Sequence, residues 1–335
     1  MDPLVSVIIP VWDVQKLLPR CLDSALAQTH RPLEIIVVDD GSTDGSLAVM
    51  QAYARAHSEV QVISQRHRSL GPARNAALSV AQGEFVAFMD ADDWVEPDFI
   101  SDTVQIAQDM GADVVVGGFV FHVGRLRMPF PFLPRVSSMT GAEAAKLSIH
   151  MTRFPAFAWN KLYRRSLFLP DDPPFPTIEY EDLATTPRLL QRAGTVGLTR
   201  KVYYHYCLRS DSITGAFSAK NVFSFAAAID LLRHDLHEND LWDGWNRSYR
   251  RLLRQALMIM GMQTMLQPNR IPLRQRGPLM VRFARRLRGL SERPTDGQRL
   301  RARRIRTTKA RGSMPRQPVS ATITVTQADP TESQA

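Results

Sequence analysis

The chain predicts an α/β fold built on a mostly parallel, Rossmann-like sheet and followed by a helical appendage, and three features of its 335 residues carry that expectation. Residues 4–9, 33–38 and 84–89 are short, apolar and rich in Val and Ile, the pattern of strands buried on both faces. Between the first two, residues 15–29 place Leu18, Leu22, Ala25 and Leu26 at helical spacing, and a strand, helix, strand repeat implies parallel pairing. Downstream, residues 222–236 and 245–266 repeat with helical period, with Trp245, Tyr249, Leu252, Ala256 and Met260 sharing one face.

Each early strand stops at a chemically distinctive point. The first ends at Pro10 and Val11, with neither G-x-G-x-x-G after it nor G-x-x-x-x-G-K-[ST] anywhere, so neither a usual dinucleotide site nor a P-loop is supported. The second runs into Asp39-Asp40-Gly41-Ser42-Thr43-Asp44 and the third into Asp90-Ala91-Asp92-Asp93. Ligands of open parallel sheets sit beyond the carboxyl ends of the strands, so these acidic groups converge at one sheet edge. If extended geometry continues past Met89, side-chain alternation puts Asp90 and Asp92 on the same side. Such a pair suits a hard divalent cation that keeps open positions for water and phosphate. Asp40 can accept a hydrogen bond from a nucleobase imide and Asp90 one from a ribose hydroxyl. Turn formation and helix capping are the alternative uses of Asp39, Asp40 and the D-A-D-D run.

Val5-Ser6-Val7-Ile8-Ile9-Pro10, Val37-Val38-Asp39-Asp40-Gly41-Ser42-Thr43-Asp44, Ala73-Arg74-Asn75 and Asp90-Ala91-Asp92-Asp93, in this order, resemble family 2 glycosyltransferases with the GT-A fold. Residues 159–167, beginning Trp159-Asn160-Lys161, and Tyr180-Glu181-Asp182-Leu183 extend the similarity, which covers about residues 3–215. The resemblance implies a nucleoside diphosphate sugar donor, with Pro10 and Val11 lining the nucleotide pocket beside Asp39 and Asp40 and with Asp40 reading the base. It also implies Asp90 at the ribose, Arg74 near the nucleotide, and Asp92 on a Mg²⁺ or Mn²⁺ ion bridging the diphosphate. Asp182 matches the general base of an inverting transfer, where one carboxylate takes the acceptor proton and the cation offsets charge on the leaving group. For Arg74 a solvated helix start, for Glu181 and Asp182 a helix-start role, and for His205 a hydrogen-bonded rather than metal-facing ring are the structural alternatives.

Composition agrees with a cytoplasmic enzyme. Cys21 and Cys207 are the only cysteines, which leaves no disulfide framework and no C-x-x-C pair. No basic n-region precedes the first apolar segment, and no run reaches the roughly 18 apolar residues of a membrane span. Charge is partitioned: residues 267–316 hold 16 Lys and Arg against Glu292 and Asp296, a net of +14, whereas residues 1–266 carry a net of −3. Pro278 suits the start of a helix there, with Leu279, Met280, Phe283, Ala284, Leu287 and Leu290 on one arc and Arg282, Arg285, Arg286 and Arg288 on the other. That pattern suits an interfacial helix on an anionic inner membrane face or, equally, a solvated or partner-bound helix. No aromatic residues interleave with the arginines as a nucleic-acid platform requires.

The resulting organisation is a catalytic domain over residues 1–215, a helical appendage over 216–266, a basic, partly amphipathic segment over 267–312 and a disordered tail over 313–335. Pro-rich loops at 128–134 and 170–176 suit acceptor binding. The expected activity is transfer of one sugar to a cell-envelope glycan or lipid-linked acceptor. Processive synthesis is disfavoured, since the chain lacks the Q-x-x-R-W motif and membrane spans of the polymerases. A sugar nucleotidylyltransferase is the alternative enzyme, opposed by Pro10-Val11-Trp12-Asp13 where a Gly-rich loop is expected. An inactive nucleotide-sugar or membrane-surface binding protein is the other, opposed by the presence of Asp40, Asp90, Asp92 and Asp182.

Overall fold

The computed structural model describes residues 2–124, 126–129, 134–150, 154–169, 173–208, 218–266 and 271–292. The chain opens with β1 (Val5–Val11), α1 (Leu18–Leu26), β2 (Leu33–Asp39), α2 (Ser46–Ala56), β3 (Val60–Ser64), α3 (Leu70–Leu78) and β4 (Phe85–Phe88). These strands pair in parallel in the order β3-β2-β1-β4, as the alternation of apolar strand and helix requires. The next elements are β5 (Trp94–Val95), α4 (Phe99–Met110), β6 (Val114–Val123), β7 (Leu126–Pro129), β8 (Ser138–Thr140), α5 (Gly141–Ser148) and β9 (Lys161–Arg164). After them come α6 (Glu181–Arg192), β10 (Thr195–Cys207), α7 (Ala219–Glu238), α8 (Trp242–Leu266) and α9 (Leu273–Gly289). The sheet is mixed: β9 inserts antiparallel between β4 and β6, and β10 then joins β6 in parallel.

Every residue of β1 is buried, because both sheet faces are covered. Strand alternation divides the core accordingly. Val5, Val7 and Ile9 pack with Leu22, Met50 and Phe99 on the α1, α2 and α4 side. Ile8, Ile36 and Phe88 face the other side, where the core runs on through Leu189, Phe225 and Leu252 of α6, α7 and α8. The C-terminal helices thus share one continuous core with the sheet.

Three local expectations change. Pro278 lies inside α9, which starts a turn and a half earlier at Leu273. The apolar arc of that helix faces inward: Leu279, Phe283, Leu287 and Leu290 are buried in the same core as α7 and α8. The helical period marks the apolar face, and protein rather than lipid covers it. Finally, β4 stops at Phe88, so Asp90 and Asp92 are set by a turn and not by strand alternation. Residues 130–133 and 170–172 of the Pro-rich loops, and the tail at 313–335, lie outside the described residues.

Candidate active site

The carboxyl ends of β2, β1 and β4 are neighbours in the sheet, which brings Asp39, Asp40, Pro10, Val11 and the D-A-D-D turn to one edge. The D-D-G-S-T-D segment is locked by its own polar side chains. Asp39 accepts hydrogen bonds from the Ser42 N–H at 2.9 Å and the Ser64 hydroxyl at 3.0 Å. Asp13 accepts from the Thr43 N–H at 2.6 Å, and the hydroxyls of Ser42 and Ser46 accept from the Asp13 and Val14 N–H groups. The loops after β1 and β2 are therefore zipped together. Gly41 sits at φ +73°, where a Cβ would lie 2.7 Å from the His67 nitrogen, so only glycine fits without strain.

Asp40 is buried and fully engaged. One carboxylate oxygen accepts from the Gln65 amide at 2.5 Å and the Arg68 N–H at 2.9 Å; the other accepts from the Ser69 N–H at 2.8 Å and lies 2.9 Å from His67 Nδ1. Three N–H donors hold the carboxylate, while the hydrogen bond of His67 Nδ1 goes to the Asp40 backbone carbonyl at 3.2 Å. Beside it Trp12, half of whose surface is exposed, packs on the His67 ring with centroids 4.7 Å apart. Neither Trp12 nor His67 was singled out from sequence. The signal was an exposed aromatic directly after Pro10-Val11 at a strand end.

The turn after β4 closes with the Asp93 N–H donating to the Asp90 carbonyl at 3.0 Å. Asp93 points into the protein, accepting from the Tyr204 hydroxyl at 2.8 Å and the Cys207 N–H at 2.7 Å. Burial pushes its carboxyl well above the usual range, and the neighbouring charges of Asp92 and Asp90 push it further. The Tyr204 hydroxyl also accepts from the Asp90 N–H at 3.0 Å, so β10 holds the turn at two points. Asp90 and Asp92 remain half-buried. Both ring nitrogens of His205 are engaged, one with His122 at 2.9 Å and the other with Glu96 at 2.8 Å, which is the hydrogen-bonded alternative for that histidine.

Arg74 joins the sheet edge to α6. Its guanidinium donates to Asp90 at 3.0 Å and to Glu181 at 2.5 Å, and it lies between the rings of Phe88 and Phe175 at 5.6 and 5.5 Å. With 1 % of its surface exposed it is not a solvated helix-start charge. Burial opposes its charge, but Glu181 and Asp90 outweigh that effect and hold its pKa above the ordinary value. Tyr180, just before α6, adopts a left-handed backbone at φ 60°, unusual for a bulky residue. The next residues, Glu181 and Asp182, thereby enter the site from the first turn of the helix. Asp182 is half-buried, with one oxygen accepting from the Leu183 N–H at 2.8 Å. Burial pushes its carboxyl up to about 6 against the opposing pull of Arg74. Glu181 is raised by burial as well, and Arg74 again opposes.

Lys161, the first residue of β9, is near enough to interact with the Asp182 charge. Fully buried, it donates to the carbonyls of Pro155 and Phe157 at 3.2 and 2.6 Å and to the Asn160 side chain at 2.7 Å. All three acceptors are neutral, so burial draws its pKa down to about 7, with Asp182 partly restoring the charge. In the sequence Lys161 and Tyr204 were only members of longer motifs, because the groups they touch are distant along the chain.

The Glycosyl transferase family 2 profile matches residues 6–169, which contain the carboxyl ends of β1, β2 and β4. EpsH of Bacillus subtilis (strain 168), described as a glycosyltransferase, is 31 % identical over 244 residues, covering 71 % of this chain and 70 % of its own length. Cholesterol galactosyltransferase of Borreliella burgdorferi is 30 % identical over 248 residues, covering 69 % and 68 %. Among solved structures, residues 1–349 of S. aureus TarS in complex with UDP-GlcNAc superpose with a TM-score of 0.68 at 20 % identity, covering 92 % of both chains. The mixed sheet and its C-terminal helices are therefore a GT-A arrangement. By the extent of its match to these relatives, this chain belongs to glycosyl transferase family 2 and is a glycosyltransferase.

Proposed function

We propose that the enzyme moves a single sugar from a nucleoside diphosphate sugar to a cell-envelope glycan or lipid-linked acceptor, with inversion and with Asp182 as general base. The observation that carries this reading is the bridge through Arg74, which ties Asp90 at the nucleotide edge to the Glu181-Asp182 pair at the start of α6. Donor and acceptor chemistry are thereby held at a fixed separation on rigid elements. The name of the Borreliella relative, with cholesterol as acceptor, supports a lipid among the acceptor classes.

In this reading Pro10, Val11 and Trp12 bound the nucleotide pocket, and Asp40 reads the base after exchanging the Gln65 amide for the base imide. Asp39 holds the loop that shapes the pocket, and Asp90 takes the ribose. A carboxyl near 6 is largely ionised at neutral pH yet basic enough to accept the acceptor proton. As Asp182 takes that proton, the acceptor oxygen attacks the anomeric carbon and the bond to the diphosphate breaks on the opposite face.

The residues present fit a divalent cation. Among the described residues no group of three or more His, Cys, Asp or Glu is placed to hold a metal, and Asp93 is committed to Tyr204 and Cys207. Asp92, with Asp90 beside it, would hold Mg²⁺ or Mn²⁺ with most positions left to phosphate oxygens and water. Such an ion supplies charge neutralisation at the leaving diphosphate. Among the described residues no helix is long and apolar enough to cross a membrane. Attachment of the basic C-terminal region to the anionic inner face of the cell membrane completes the proposal.

A screen of donor hydrolysis across UDP, GDP and dTDP sugars with Mg²⁺ or Mn²⁺ tests it. Turnover of one donor class, lost in Asp92→Asn, is expected. Nucleotide binding without turnover of any donor would favour the binding-protein alternative, and formation of a nucleotide sugar from a sugar phosphate would favour the nucleotidylyltransferase.

A further inference from the structure

The buried arc of α9 cannot insert into lipid, so a membrane contact requires another surface, and α8 presents one. Trp245, Tyr249, Leu252, Ala256 and Met260 line its inward face and are buried in the core. On the opposite face Arg247, Arg251, Arg254, Met258, Met262 and Met265 follow one another at spacings of three or four residues, and all are exposed. The stripe changes chemistry halfway: three arginines, then three methionines exposed to 60, 54 and 62 %. At about 1.5 Å per residue it is about 27 Å long.

We infer that this stripe of α8 docks the enzyme on an anionic phospholipid bilayer, the methionines entering the headgroup and acyl boundary and the arginines pairing with lipid phosphates. The inference deepens the membrane reading above and rests on it. Contiguous exposed apolar side chains mark an interaction surface. Methionine, unbranched and polarizable, suits an irregular lipid boundary. Among the described residues none of the three arginines has an ion-pair partner, and guanidinium groups recognise phosphate through paired donors. The outward side of α9 adds Arg274, Arg285 and Arg288, all exposed, in the region of the chain that carries its positive excess. Positive charge beside exposed methionine selects an anionic lipid surface over a second, equally basic copy of the chain.

Truncation before α9 would remove four core residues, so point variants are the sound test. The full chain should float with phosphatidylglycerol–phosphatidylcholine vesicles at low salt, and weakly with phosphatidylcholine alone. Two triple variants, Met258→Ser/Met262→Ser/Met265→Ser and Arg247→Glu/Arg251→Glu/Arg254→Glu, should each lower the partition coefficient about tenfold or more, with donor hydrolysis unchanged. Undiminished flotation of both variants would overturn the α8 assignment and move the contact to residues 293–316. Absence of flotation by the full chain would overturn the membrane reading itself while leaving donor hydrolysis, and with it the transferase reading, standing. Self-association that the methionine variant abolishes, without flotation of the parent, would make a second copy the occupant and equally overturn the inference.

Discussion

Arg74 and Glu181, both buried, meet at 2.5 Å, although they lie 107 positions apart along the chain. The pair fixes the start of α6 against α3, and the second arm of the guanidinium fixes Asp90. A buried charge with two carboxylate partners is stable as a set, while removal of one member leaves uncompensated charge.

Arg74→Met should therefore destabilise the fold by about 3–5 kcal/mol, the scale of a broken buried pair. Arg74→Met/Glu181→Leu should recover part of that loss, since both charges then leave together. Urea denaturation of the two single variants and the double variant measures the coupling, and strict additivity would contradict the clamp.

The raised carboxyl of Asp182 has a signed consequence for stability. Its folded pKa of about 6 lies above the ordinary 3.8, so the folded state favours the protonated form. That contribution is fully present below about pH 4 and is lost as pH rises through about 6. Asp182→Asn should thus be more stable than the parent at about pH 8, by on the order of 1–3 kcal/mol, and the difference should close toward about pH 4. Melting curves across that range check it. In parallel, kcat/KM of the parent should fall on the acid side with an apparent pKa near 6, shared with Glu181 through their coupling.

Tyr204 supports the D-A-D-D turn from β10. Loss of its hydroxyl leaves the Asp90 N–H and the Asp93 carboxyl each short of a partner. Tyr204→Phe should cost about 1–3 kcal/mol in stability and weaken donor binding by displacing Asp90. Calorimetric titration with the nucleotide sugar, beside a melt, separates the two effects.

Much of the acidic sheet edge is legible in the sequence because apolar Val- and Ile-rich runs end abruptly at Pro10, Asp39 and Asp90, and parallel sheets gather such ends. The antiparallel strand β9 is not legible, since nothing in Lys161–Arg164 specifies β4 and β6 as its neighbours. Arg74 reads from its own residues as readily as a solvated helix-start charge as a nucleotide-side group, because its partner Glu181 arrives from far along the chain. Asp93 is indistinguishable from Asp92 until the turn directs one inward. In α9 the period identifies an apolar face and says nothing of whether lipid or α7 and α8 will cover it.

If Asp92 holds the cation, Asp92→Asn should lose most activity with its melting temperature unchanged, and a chelator should silence the parent to the same extent. Undiminished, chelator-insensitive turnover in Asp92→Asn would remove that assignment.

In the proposed mechanism Asp182 does the proton chemistry while the strand ends bind the donor. Its most direct test is Asp182→Asn, with donor affinity by calorimetry and transfer by initial rates on the same preparation. Retained donor affinity with a loss of transfer of about 10² or more, the usual scale for a general base, is expected. Loss of donor binding with the fold preserved, or transfer at the parent rate, would contradict it.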